Sequence, residues 1–366
     1  MNNLLKRYYK RKAIHLDCRI VTPMFLGNAD QQAEWRAAPF KGLLRYWWRV
    51  TQYDLGQPGK NGVLKLLEAE SRLFGFAGVS GSSEGGKSCV GVAVSGNGKP
   101  VKNKMPSLDP IRHPETNNPD VNPLLYLANM GLMKPGGEVL HSYFLPGSDF
   151  SWTISLPAED AAQIKATLAL IRAFGAIGGR CRNGWGSFQI ARMEGINMDE
   201  AETVRVLDSL TREWTDGLDR DYPNCLGRDR DGPLLWKTPT ADTAGDVMRA
   251  LADTYVGVRS RDLGPGLGRL DPGGPDFPSE RHLLGFPLTH HPARQQAKWG
   301  NSARHASPLR FIVRRKDHGY TGFILHLPHM HSSQMELPEV NQTKVWEKVH
   351  AKLDRLLKRA EYGECL

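Results

Sequence analysis

The sequence predicts an α+β protein of two domains, and three observations carry that prediction. The chain of 366 residues is long enough for two cores of ordinary size. Before Glu194 its periodic segments run strand, helix, strand, strand, helix, strand, which is the ferredoxin-like order. After Glu194 the composition turns acidic and polar over Asp199 to Asp231, and a second set of helices and strands follows. The expected domains are 1–197, with a long insertion at about 96–137, and 198–366.

The N-terminal stretch MNNLLKRYYKRKAIHL has a signal peptide's positive charge but neither its apolar run nor its cleavage site, so a basic arm leading into a strand is expected. Ala13 to Thr22 alternates, with Ile14, Leu16, Cys18 and Ile20 on one face and His15, Asp17 and Arg19 on the other. A loop then delivers the chain into WRAAPFKGLLRYWWRV, Trp35 to Val50. Stepping 100° per residue, Lys41, Arg45, Trp48, Arg49 and Gln52 form one stripe, and Phe40, Leu43, Leu44, Trp47, Val50 and Thr51 form the other. A wet face normally mixes Glu and Lys. This one offers only cations and an aromatic ring, a combination that suits a phosphate backbone and its bases, while Trp47 is expected in the core.

Val63 to Phe74 predicts a second helix ending at Gly75, and Ser88 to Ser95 a strand. Gly96 to Gly137 is rich in Pro, Asn, Lys and Gly; its Lys99, Lys102, Lys104, Arg112 and His113 make it either a polyanion contact or a solvated loop. Val139 to Leu145 and Asp149 to Leu156 are expected as paired strands joined through Pro-Gly-Ser. Pro157 to Phe174 follows as an amphipathic helix with Ile164, Leu168 and Ile171 on one side. In the second domain, helical signal covers Ala201 to Leu218 and Asp242 to Tyr255, and Gly257 to Arg281 is expected to be mobile. Pro308 to Arg315 and Tyr320 to Leu327 predict a hairpin. The last helix, about Asn341 to Arg359, should bury Val345, Val349, Leu353 and Leu356.

A net charge of +9 and a pI near 9.3 favour a polyanionic partner over a small neutral substrate. No apolar run reaches the roughly 18 residues of a membrane span. Five scattered cysteines without a CxxC pair fit a reducing cytoplasm, with no disulfide framework and no structural zinc.

The segment AFGAIGGRCRNGWGSFQI is the second chemical signal. Gly175, Gly178, Gly179, Gly184 and Gly186 permit positive φ and close backbone approach, while Arg180, Arg182 and Asn183 place donors at the same turn. Such a loop can cradle phosphates. No GK[ST] follows and it runs into a strand, so it is neither a P-loop nor a dinucleotide fingerprint.

Together, TPMFLGNADQQAEWRAAPFKGLLRYWWRV, AESRLFGF, AIGGRCRNGWGSF and ASPLRFIV resemble the RAMP superfamily of CRISPR effector subunits, and within it the first subunit of the type III-B Cmr complex. The resemblance implies two ferredoxin-like, RNA-recognition-like domains in a ribonucleoprotein that uses a CRISPR guide RNA to capture complementary target RNA. It implies a non-catalytic subunit, assembled with other Cmr subunits, that holds the 3′ part of the guide. By position, the family's basic helix falls on Lys41, Arg45, Trp48 and Arg49, preceded by Arg36, and its glycine-rich loop on Gly178 to Gly186, including Gly179, Arg180, Arg182 and Asn183. Trp185 stands where the family often has Phe.

The alternative is a metal-independent endoribonuclease that processes CRISPR RNA, with an outward-pointing His15 meeting the glycine loop. No cofactor or metal is expected: His326, His329 and His331, with His290 and His291 upstream, lack a Cys or acidic pair to complete a tetrahedral set. The pairs Glu68/Glu70 and Asp229/Asp231 are expected to be solvated charges.

Overall fold

The computed structural model describes residues 10–55, 60–77, 85–115, 119–128, 131–260, 269–271, 279–286, 299, 303–333, 335, 337 and 340–366. The basic arm at 1–9, most of Gly257 to Arg281, and His290 and His291 lie outside these residues.

Strand β1 is Arg11–Ile20, followed by helices α1, Ala37–Val50, and α2, Lys60–Phe74. Then come β2, Gly91–Gly96, β3, Asp149–Pro157, helix α3, Ala161–Phe174, and β4, Phe188–Glu194. They form an antiparallel sheet in the order β2-β3-β1-β4. The second half repeats the plan with β5, Leu235–Lys237, α4, Ala244–Arg259, β6, Leu309–Lys316, β7, Gly319–His326, α5, Gln342–Leu356, and β8, Lys358–Arg359. Its sheet order is β6-β7-β5-β8, the same arrangement of first, second, third and fourth strands. The protein is α+β, with one ferredoxin-like sheet order used twice.

Alternation decides which face of the first sheet is covered. Ile14, Leu16, Cys18 and Ile20 of β1 and Phe150, Trp152, Ile154 and Leu156 of β3 are buried against the helices. On the open face Arg192 pairs with Asp17 at 3.1 Å and Arg19 with Asp149 at 2.7 Å. With Ala13, Ser151 and Thr153 between these charges, β1 and β3 put no Phe, Tyr or Trp there. RNA-recognition domains bind through rings on that face, so this sheet offers no such platform.

The halves share their packing. Leu226, Leu235, Ile312 and Phe323 join the core of the first sheet, whereas Val21, Phe25 and Trp185 join that of the second. Edge strands β4 and β6 meet through side chains. The Gln189 amide donates to Arg315 O at 3.1 Å and accepts from Arg315 N at 3.0 Å, and Val313 N donates to Ser187 Oγ at 3.1 Å.

Three expectations change. Val139 to Leu145 is not a strand and makes only single bridges, at Val139, Tyr143 and Phe144, because β1 and β2 already occupy both edges of β3. The helix expected over Ala201 to Leu218 is Glu200–Ser209; Thr211–Glu213 leaves it to pair in parallel with Leu226–Asp229. At the end of α5, Leu356 is 37% exposed rather than buried.

Candidate nucleic-acid interface

Helix α1 is covered on three sides. Phe40 packs on Trp152 of the sheet at 5.2 Å, Trp47 on Phe174 of α3 at 5.9 Å, and Trp48 edge-on against Phe74 of α2 at 5.9 Å. Trp47 is core, as expected. Trp48 is a correction: it is 1% exposed, because α2 lies across the stripe that carries it, so no base can stack on it here.

The same helix engages the arginines of that stripe. The Glu70 carboxylate, 3% exposed, accepts from Arg45 Nε at 2.8 Å and from Arg49 Nε at 2.5 Å. Burial pushes the Glu70 carboxyl up, but the hydrogen bonds and charges of Arg49 and Arg45 outweigh it and hold its pKa below the ordinary value. Glu70 is therefore a buried brace between α1 and α2 and not a solvated charge. Arg45 and Arg49 stay partly exposed beyond it. Lys41 is half-buried, and burial, then the charge of Arg45, lowers its pKa. Arg36 is exposed and donates to Gly27 O.

The glycine loop is shaped by contact with residues 22–25. Gly178 adopts φ +98°, and a Cβ there would lie 2.5 Å from Phe25 O; Gly179 N donates to that carbonyl at 2.8 Å. Gly184, at φ +88°, turns its carbonyl to Thr22 Oγ1, 2.7 Å away. The backbone these glycines admit is the protein's own. Arg180 is held at φ +55° and Asn183 N donates to its carbonyl at 2.8 Å. Asn183 Nδ2 is engaged by Leu127 O at 2.8 Å, and Arg182 O accepts from Phe311 N at 2.8 Å.

This loop forms the floor of a cleft of about 1180 Å³ between the two halves. Pro39, Gly42, Leu43 and Tyr46 of α1 face it, whereas Lys41, Arg45 and Arg49 are not part of its lining. Among the described residues six guanidinium groups line it: Arg180, Arg182, Arg259, Arg281, Arg304 and Arg310. Tyr46, Tyr126 and Tyr255 supply rings, and Glu115 is the acidic residue among the described lining. The Glu115 carboxylate takes Arg281 through both terminal nitrogens at 2.5 Å and Arg269 at 2.8 Å, which ties the insertion to the second half. The described part of the insertion is thus a packed wall of the cleft. Its Lys99, Lys102, Lys104 and Arg112 stay exposed, while His113 lines the cleft.

Other candidates lie elsewhere. His15 sits on the open face of the first sheet, with Nδ1 3.0 Å from Thr153 Oγ1. It is five residues, roughly 17 Å of strand, short of the end that leads to the glycine loop, so it does not meet that loop. His326 is fully buried, stacked on Trp346 at 4.1 Å and hydrogen-bonded to His350 at 2.9 Å, whereas His329 faces His305 with ring centroids 5.6 Å apart. Asp229 accepts from Arg359 at 2.8 Å and so is not merely solvated.

Sequence reasoning singled out Arg180 and Arg182 but not Tyr46, Tyr255, Glu115 or Arg310. Arg310 stood inside the string ASPLRFIV; its mark was a charge between the apolar Leu309 and Phe311 of a strand.

Residues 17–189 match the family model of the RAMP superfamily. Among solved structures the chain is similar to the crystal structure of Cmr1 from Pyrococcus furiosus in its apo form, at 17% identity and a TM-score of 0.48, over 93% of this chain and 97% of that one. It is also similar to a chain of the type III-B Cmr-beta bound to cognate target RNA and AMPPnP in the presence of ssDNA, at 12% identity and TM-score 0.49, over 94% and 99%. A third likeness is to a chain of the type III-B Cmr-beta bound to cognate target RNA, at 11% identity and TM-score 0.50, over 95% and 99%. This last agrees with the α+β fold. A comparison with curated proteins gave no match.

Proposed function

We propose, for a chain whose residues 17–189 match the family model of the RAMP superfamily, that it is a non-catalytic RNA-binding subunit of a type III-B CRISPR ribonucleoprotein. It holds the 3′ part of the guide RNA and helps to capture complementary target RNA, alongside other Cmr subunits in the cytoplasm. The observation that carries this reading is the cleft, whose described lining holds six guanidinium groups and three tyrosines against one carboxylate. Guanidinium forks match phosphate oxygens bidentately, and tyrosine rings can stack on unpaired bases for roughly 1–3 kcal/mol each. The cognate target RNA named with the similar Cmr-beta chain at TM-score 0.50 supports the assignment of partners.

The test is fluorescence anisotropy of single-stranded guide-sequence RNA against salt. Reversing Arg180 and Arg182 together, Arg180→Glu with Arg182→Glu, should weaken binding and reduce the log–log salt slope by roughly two, since each phosphate contact contributes about one. Unchanged affinity and slope in a folded double variant would sink the reading.

A further inference from the structure

We infer that Arg310, with Arg182 and Tyr46, forms a subsite for one phosphodiester of the bound strand. The inference rests on the RNA-binding reading above and goes further by naming the residue that anchors the strand. Arg310 is 3% exposed, yet among the described residues its Nε has no hydrogen-bond partner and no carboxylate pairs with it. Its guanidinium lies over the Tyr46 ring at 4.8 Å and the Trp47 ring at 4.9 Å, and it lines the cleft. Arg182 approaches the same Tyr46 ring at 5.8 Å.

Two cations gathered on one ring, one of them desolvated, are at a cost that cation–π attraction offsets only in part. An anion between them removes the cost. Arg314, four residues further along on the same face of β6, shows what a structural arginine looks like here. It is fully buried, but gives its protons to the carbonyls of Ala173 at 2.7 Å and of Phe188 and Cys365 at 3.1 Å. Among the described residues Arg310 has no such acceptor, and it faces the cleft. The fork of a guanidinium fits two oxygens of a phosphate, and Tyr46, whose ring carries both cations, stands beside that phosphate.

The test steps a single uncharged methylphosphonate linkage along a single-stranded RNA and measures affinity for the wild type, Arg310→Gln and Arg310→Lys, with circular dichroism as the folding control. One linkage should cost the wild type on the order of tenfold, as expected for a lost charge-assisted bond. That same position should cost nothing in Arg310→Gln, while other sensitive positions keep their effect. Arg310→Lys, which keeps the charge and the ring packing, should fall between the two. Equal losses at every linkage in wild type and variants would overturn the inference while leaving RNA binding intact. Wild type that binds no RNA would overturn both. Displacement of the strand by inorganic phosphate at concentrations no higher than the RNA would reassign the subsite to a free phosphate and overturn the strand assignment.

Discussion

His326, His350, His305 and His329 are each no more than 6% exposed, and the fold keeps them neutral. Burial pushes His326 well below its ordinary pKa, His305 and His350 down to about 3 and His329 to about 4. In the unfolded chain each ring titrates near 6.5. Between these values the unfolded chain binds protons that the folded protein refuses. Stability is therefore intact above about pH 6.5 and falls as the pH drops towards 4, by up to roughly 1.4 kcal/mol per pH unit for each ring. Calorimetric scans should show a lower unfolding midpoint at pH 5 than at pH 7. An equal midpoint at the two would contradict the burial of these rings. The sequence showed His326, His329 and His331 as a cluster but not their neighbours. His305 and His350 are distant in sequence, and only tertiary contact brings them to the group.

At the scale of elements, α1 divides what periodicity can and cannot tell. The 3.6-residue period places Lys41, Arg45, Trp48 and Arg49 on one stripe, and the structure keeps that geometry. A period fixes angles around an axis without saying which sides are covered. Helix α2 covers this one and buries Trp48 and Glu70. The glycine loop was more readable, because positive φ and close approach are properties of the residues themselves. The insertion was the least readable: its role depends on one carboxylate meeting arginines more than 150 residues away.

That contact makes its own prediction. Burial pushes the Glu115 carboxyl up, while Arg281 and Arg269 outweigh it and hold it in its charged form. It thereby neutralises cations at the cleft. Glu115→Gln should lower the melting midpoint and yet tighten RNA binding by roughly 1 kcal/mol, about fivefold, as the local potential becomes more positive. Anisotropy measured beside a melting curve checks both signs. Weaker RNA binding by a folded variant would mean that the carboxylate supports the site instead of competing with phosphate.

Over the whole molecule, one strand order is used twice, and the halves are joined along β4 and β6. The sequence carried the order of the first half and the hairpin of the second, since both rest on local alternation. It did not carry the shared core or the cleft, which arise from packing between residues far apart in the chain. That cleft, and not the open face of either sheet, is the proposed path of the RNA. Its most direct test is photocrosslinking of 4-thiouridine-labelled guide RNA, followed by mass spectrometry of the attached peptides. Adducts are expected on the peptides that contain Tyr46, Tyr126, Tyr255 and the 176–183 loop. Adducts confined to the open face of β1, β2 and β3, or to α2, would contradict it.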